Sequence, residues 1–89
     1  MSNQTVAKVL AAADDSVTLI NDINSNGSDS VHVPMDEDQA GINAIVQRNV
    51  DHLETILAYT DPDVAGSSDD KSSYTSAITT GKAYISANS

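Results

Sequence analysis

Apolar residues at helical spacing in the middle of the chain are the feature that most constrains its fold. Seven of them lie on one face of a helix between Ile42 and Leu57. The acidic run from Asp36 to Asp38 precedes this stripe and suits the first turn of a helix, where negative charge complements the helix dipole. The sequence therefore predicts a helix over residues 36–59, with Asn49 on its inward face.

A second amphipathic stripe predicts an earlier helix over residues 4–24. The segment Val17–Ile20 contains β-branched residues, so a strand is the local alternative. We prefer the helix because the stripe is continuous across that segment. Its apolar members are Val6, Leu10, Ala13, Val17 and Ile20.

A third helix is predicted over residues 71–87, preceded by a short helical turn over residues 61–66 with Pro62 at its first position. Gly81 falls at the centre of the apolar face of this third helix. Either a neighbouring helix approaches closely at Gly81, or the helix ends and restarts there. We prefer the close approach, because glycine has no side chain to hold two helices apart.

Residues 21–34 are rich in Asn, Ser, Asp and Gly, which indicates a long loop after the first helix. Val31–Pro34 predicts a short extended stretch packed on the helices, since a residue before proline avoids the helical region. The predicted fold is a single all-α domain over residues 1–89. Its second and third helices form an antiparallel hairpin, and the first helix packs across them.

The charge balance limits the classes of partner. The chain has 13 acidic and 4 basic residues, for a formal net charge of −9. Direct binding to nucleic acid or to anionic membranes is not expected, because both depend on clustered Lys and Arg. No apolar run approaches the roughly 18 residues that a membrane span requires, and residues 1–10 lack the basic start and apolar middle of a signal peptide.

The composition also predicts a protein without catalytic or cofactor chemistry. There is no cysteine, no Phe and no Trp, so disulfides are excluded and the core must consist mainly of aliphatic side chains. No serine lies in a nucleophile elbow and no phosphate loop is present. A small aliphatic core has a thin stability margin, so a homo-oligomer, a host surface or a cation bound by oxygen ligands is an expected source of further stability.

One segment resembles a calcium-binding loop. Asp22, Asn24, Asn26 and Asp29 are oxygen-bearing side chains at alternating spacing around Gly27. The twelfth position, where such loops have a bidentate Glu, is Val33. A helix that ends in a hydrogen-bonded Asn/Ser/Gly turn is therefore the preferred interpretation, and no metal site is predicted.

Several side chains are candidates for a protein interface or for a structural role. Asn49 is predicted to hold the loop near residues 31–34 by bonding to its backbone, because an unsatisfied buried amide costs about 1–3 kcal/mol. Arg48 either pairs on the surface with Asp51 or His52 or binds a partner's carboxylate. Four apolar or aromatic residues fall off the main stripes and are predicted interface residues: Leu19, Ile23, Tyr59 and Tyr84.

The second half of the chain resembles small acidic proteins encoded by marine tailed bacteriophages. The likeness lies in the segments Val46–Glu54, Asp63–Ser67 and Ser76–Ile85. It implies a structural, non-enzymatic protein located in the virion and assembled in the host cytoplasm. The implied partners are virion proteins, such as the major capsid protein or a tail protein.

Within that resemblance, capsid decoration or cement is the first expectation and a tail accessory role is the second. Two alternatives come from the residues themselves. One is a small binding module stabilised by calcium at the Asp22–Asp29 segment. The other is an acidic mimic of DNA that occupies a host nucleic-acid-binding protein, although many of its acidic residues are expected in loops rather than on one face.

Overall fold

A computed structural model shows three helices that pack against one another, which confirms the predicted all-α, three-helix fold. Helix α1 spans Ser2–Asn26, α2 spans Gln39–Ala58 and α3 spans Ser72–Ala87. A single 3₁₀ turn, Gly27–Asp29, follows α1. The described part of the chain contains no strand, so the strand alternative for residues 17–20 is wrong.

The structure describes residues 2–58 and 72–89, with side chains described at 11–58 and 73–89. The predicted short turn over residues 61–66 and the interface candidate Tyr59 lie outside the described residues. The predicted last residue of the second helix, residue 59, and the predicted first residue of the third, residue 71, also lie outside the described residues.

Helix α1 is longer at its C-terminal end than predicted, because its last residues support one another. The Asn26 amide donates to the Asp22 carboxylate four residues earlier, at 2.8 Å, a pairing that stabilises a helical turn. Gly27 then adopts a left-handed conformation, with φ of 56°. Glycine takes this conformation without steric cost and commonly ends helices.

Helix α2 begins later than residue 36, where the sequence placed its start. Asp36 has a φ of 69°, which is incompatible with a right-handed helix. The Glu37 N–H donates to the Pro34 carbonyl at 3.2 Å and closes a turn there. Asp38 is the actual cap, since its carboxylate accepts a hydrogen bond from the Gly41 N–H at 2.8 Å.

The core lies between the three helices and is almost entirely aliphatic. Helix α2 contributes most to it, and Tyr74 of α3 is its aromatic member among the described side chains. Fully burying one such side chain stabilises the fold by about 1.5–3 kcal/mol. The buried apolar residues are Ala13, Ile20, Ile23, Ile42, Val46, Val50, Leu53, Ile56, Tyr74, Ala77 and Ile78.

Gly81 marks a close helix approach, as predicted. A Cβ atom added to it would lie 2.5 Å from Val50 Cγ2 and 3.2 Å from Val46 Cγ1. Helix α3 continues through Gly81 to Ala87. The missing side chain therefore creates the space that the α2 valines occupy.

Helices α2 and α3 run antiparallel, as predicted for the hairpin. Near the start of α2, the Asn43 amide donates to the Asn88 carbonyl at 3.2 Å. Further along α2, Val50 contacts Gly81. As the chain proceeds along α2, the α3 residues that it contacts therefore lie nearer to the N-terminus of α3.

Candidate functional site

The connection between α1 and α2, residues 27–38, is anchored to α1 through the Asp22 carboxylate. We call these residues the α1–α2 loop. One carboxylate oxygen accepts the hydrogen bond from Asn26, and the other accepts one from the Ser30 hydroxyl. Ser30 is only 4% exposed, and its Oγ also accepts a hydrogen bond from the His32 N–H at 3.1 Å. The result is a chain of hydrogen bonds from the loop backbone to the last turn of α1.

The electrostatics of Asp22 follow from this anchor. The hydrogen bond from Ser30 is the largest cause that lowers the pKa of the Asp22 carboxyl below its ordinary value. Asn26 and the charge of His32 act in the same direction, whereas partial burial opposes them. The lowered pKa shows that the charged form of Asp22 is the form that the anchor stabilises.

The rest of the α1–α2 loop is a series of tight turns. The Ser30 N–H donates to the Gly27 carbonyl at 3.0 Å, and the Val33 N–H donates to the Ser30 carbonyl at 3.1 Å. The extended stretch predicted for Val31–Pro34 is therefore wrong, because backbone turns replace it. The predicted packing holds for Val33, which lies partly buried against the core.

Two apolar side chains of this loop point into solvent. Val31 is 89% exposed and Met35 is 92% exposed. They are the only large hydrophobic residues that are exposed among the described side chains. Neither residue is among the predicted interface residues, because no local pattern distinguishes them from the half-buried Val33 between them.

The surroundings of this exposed pair are strongly acidic. Between Lys8 and Arg48 the sequence has no Lys or Arg. Three carboxylates of the loop, those of Asp29, Asp36 and Asp38, are exposed. The whole stretch between Lys8 and Arg48 has seven acidic residues: Asp14, Asp15, Asp22, Asp29, Asp36, Glu37 and Asp38.

The resemblance to a calcium loop does not extend to the geometry. Asp22, Asn24 and Asn26 belong to α1 rather than to a loop. On a helix, Asn24 points about 200° away from Asp22, so Asn24 does not converge with the hydrogen-bonded side chains of Asp22 and Asn26. In the described part of the chain, no three His, Asp or Glu side chains lie close enough to hold a metal ion.

One interface candidate was wrong. Ile23 is completely buried in the core, so it is not available to a partner. The buried stripe of α1 is Ala13, Ser16, Ile20 and Ile23, with spacing of 3, 4 and 3. Because Ser16 is polar, a stripe drawn through apolar residues includes Val17 in its place, and Ile23 then falls off the predicted face.

The other candidates occupy intermediate or exposed positions. Leu19 and Tyr84 are half-buried against the core, and the Tyr84 hydroxyl accepts a hydrogen bond from the Gln39 amide at 3.1 Å.

Arg48 is exposed on α2. The Asp51 carboxylate accepts a hydrogen bond from Gln47 at 2.9 Å. Among the described residues, Lys82 and Glu54 form a salt bridge at 2.7 Å, and Arg48 forms none.

Asn49 has a structural partner, but not the predicted one. Its Oδ1 accepts a hydrogen bond from the Ser16 hydroxyl of α1 at 2.8 Å. Its amide nitrogen donates to the Ile45 carbonyl at 2.8 Å, within its own helix. Asn49 therefore joins α1 to α2 rather than holding the α1–α2 loop, and the loop is anchored by Asp22 instead.

Comparison with known proteins does not assign this chain to a family. No protein-family model, no curated protein and no solved structure matches the chain. None of the helices in the described residues has the length and hydropathy needed to cross a membrane.

Proposed function

We propose that this protein is a non-enzymatic structural component of a bacteriophage virion that binds other virion proteins. Decoration or cementing of the capsid is the first role we assign, and attachment at the tail is the second. The sequence resemblance supports the virion setting. The exposed apolar pair Val31 and Met35 supports a binding role.

The observation that carries the binding role is that this exposed pair lies on an anchored loop. Exposed apolar side chains that together form one patch mark contact surfaces, and we assign Val31 and Met35 to such a patch. The hydrogen bond from Ser30 to Asp22 holds one end of the loop, and the Asp38 cap holds the other. The pair is thus presented by a scaffold whose position is fixed before any partner arrives.

The three-helix body supports this role by supplying a stable platform. Among the described side chains, no buried polar atom lacks a hydrogen-bond partner. The Ser16–Asn49 hydrogen bond and the Gly81 contact fix the helices relative to one another. A platform of this kind suits a protein that works by contact with a neighbour.

The test is detection of the chain in purified particles of the phage that encodes it. Quantitative mass spectrometry is expected to find it at a fixed copy number relative to the major capsid protein. Recombinant chain added to particles that lack it is expected to bind them in a saturable way. An unrelated acidic protein of similar size serves as the control for charge.

Head and tail roles are distinguished by where the bound chain lies. Electron microscopy of particles carrying a labelled chain is expected to show density over the capsid for decoration and at one vertex for a tail role. If the chain is missing from purified particles and does not bind to particles that lack it, the proposed function is wrong.

A further inference from the structure

We propose that Val31 and Met35 of the α1–α2 loop insert into an apolar pocket of a partner protein whose rim carries Lys or Arg side chains. This inference deepens the proposed function and rests on it for the statement that the partner is a virion protein. It specifies the surface that binds and the chemistry of the surface that receives it.

The loop separates its apolar side chains into two groups. Val33 packs against the core, whereas Val31 and Met35 on either side of it are almost fully exposed. Transfer of these two side chains from water into a pocket is favourable in proportion to the apolar area buried. Met35 can also adapt to the shape of a pocket, because its side chain is unbranched and polarizable.

Little ordering of the loop is needed before it binds. Three backbone hydrogen bonds close its turns, at 3.0, 3.1 and 3.2 Å. The buried Ser30 hydroxyl ties it to Asp22 of α1. Preorganisation lowers the entropic cost of association, so even a small pair of apolar side chains can make a specific contact.

Charge determines the kind of partner. In the sequence, the exposed pair is flanked by Asp29, Asp36 and Asp38, which are also exposed, and residues 9–47 contain no Lys or Arg. A receiving pocket with a basic rim is complementary to this surface, whereas a second copy of the loop would bring like charges together. An anionic membrane surface is disfavoured for the same reason.

The experiment uses a synthetic amphipathic peptide with Leu on one helical face and Lys on its flanks as a model of the receiving surface. A matched peptide with Ser in place of Leu keeps the charge and removes the apolar face. Nuclear magnetic resonance titration of the whole chain is expected to show shifts concentrated in residues 29–38. The Leu/Lys peptide is expected to bind at least tenfold more tightly than the Ser/Lys peptide.

The decisive variant is the double substitution Val31→Ser and Met35→Ser, which leaves every charge in place. Each replaced side chain is expected to weaken peptide binding by about tenfold, because one buried apolar side chain corresponds to about that change in affinity. The matched control is Ala83→Ser with Ala87→Ser, two exposed positions on α3. Circular dichroism checks that all variants keep their helices.

Three results would overturn the inference. The first is equal binding of both peptides, which would indicate attraction by net charge alone. The second is a double variant that binds the Leu/Lys peptide as tightly as the unsubstituted chain. The third is self-association in sedimentation that the double variant abolishes, since the occupant would then be a second copy of this chain.

Binding of the same variants to particles separates this inference from the proposed function. If the unsubstituted chain binds particles and the double variant does not, both are supported. If both bind equally, the loop assignment is wrong while the virion role stands. If neither binds and the chain is missing from purified particles, the virion role is wrong, and the peptide titration alone then decides whether the loop binds a basic-rimmed apolar surface.

Discussion

At the scale of single residues, a hydrogen bond between two polar side chains joins helices that are otherwise held by aliphatic packing. Ser16 is 5% exposed and donates to Asn49 across the α1–α2 interface. A buried hydroxyl that loses its partner costs more than the hydrogen bond itself is worth, because water cannot replace the partner. The pair therefore fixes the register of α1 against α2.

Substitution of Asn49 by Ala is expected to lower the free energy of unfolding by about 1–3 kcal/mol, since it leaves the Ser16 hydroxyl unpaired. Urea unfolding followed by circular dichroism measures this change. The double variant Ser16→Ala with Asn49→Ala is expected to be less destabilised than the sum of the two single variants. Asn24→Ala, at an exposed position on α1, is the control and should change little.

The Asp22 carboxylate predicts how stability depends on pH. Its pKa is lowered in the folded state, so the unfolded chain takes up a proton at higher pH than the folded chain does. The stabilisation that Asp22 supplies is complete above its unfolded pKa of about 4 and is lost as pH falls through the lower, folded value. Acidification therefore removes part of the stability of the loop anchor.

Asp22→Asn is expected to be less stable than the unsubstituted chain at pH 7, with a difference that shrinks as pH falls toward 2. The asparagine can still hydrogen-bond, but it lacks the charge that the anchor stabilises. Thermal unfolding at a series of pH values measures the difference. Asp15→Asn, on an exposed part of α1, is the control; two parallel pH curves for Asp22→Asn would contradict the prediction.

At the scale of helices, Gly81 determines how closely α3 approaches α2. Alanine has a higher helix propensity than glycine by about 1 kcal/mol, yet Gly81→Ala is expected to destabilise the protein. Its new methyl would lie 2.5 Å from Val50 Cγ2, and overpacking of this kind typically costs about 1–3 kcal/mol. Loss of thermal stability in Gly81→Ala measures the net effect.

The double variant Gly81→Ala with Val50→Ala tests the cause. It removes the side chain that the new methyl would meet, so the two changes are expected to be less destabilising together than their separate effects summed. A fully additive result would show that the clash with Val50 is not the reason.

The helices were largely predictable from the sequence, because their apolar residues recur at helical spacing. Errors arose where one polar residue or one backbone angle decides the structure. Ser16 occupies a buried position of α1, so a pattern based on apolar residues chose Val17 and excluded Ile23. Asp36 adopts a left-handed conformation that its residue type permits but does not require, so the start of α2 was placed too early.

The candidate site was predicted much less well than the fold. Exposure of Val31 and Met35, with burial of Val33 between them, depends on turns that are fixed by contacts with α1. Those contacts join Ser30 to Asp22, eight residues apart, and no local periodicity encodes them. Asn49 was correctly placed on an inward face, but its partner on another helix depends on the packing of the whole molecule.

At the scale of the whole molecule, net charge predicts the response to salt. With a net charge of −9 on 89 residues, negative side chains repel one another within the folded protein, and added salt screens this repulsion. The melting temperature is therefore expected to rise between low and physiological ionic strength. Differential scanning calorimetry in sodium chloride measures the rise.

Calcium chloride at the same ionic strength should give no specific increase beyond that of magnesium chloride, because Asn24 points away from Asp22 and Asn26 on α1. Chelator added to the purified chain should leave the melting temperature unchanged. A stabilisation that only calcium produces would instead support the calcium-bound module.

The stretch without Lys or Arg between Lys8 and Arg48 also governs how the protein can be traced experimentally. Trypsin cleaves after Lys and Arg, so it releases residues 9–48, including the whole α1–α2 loop, as one long acidic peptide that routine proteomics detects poorly. Amine-reactive cross-linkers find no lysine there either. Proteases that cut at acidic residues, and reagents that couple carboxylates, are the tools that report on this face of the molecule.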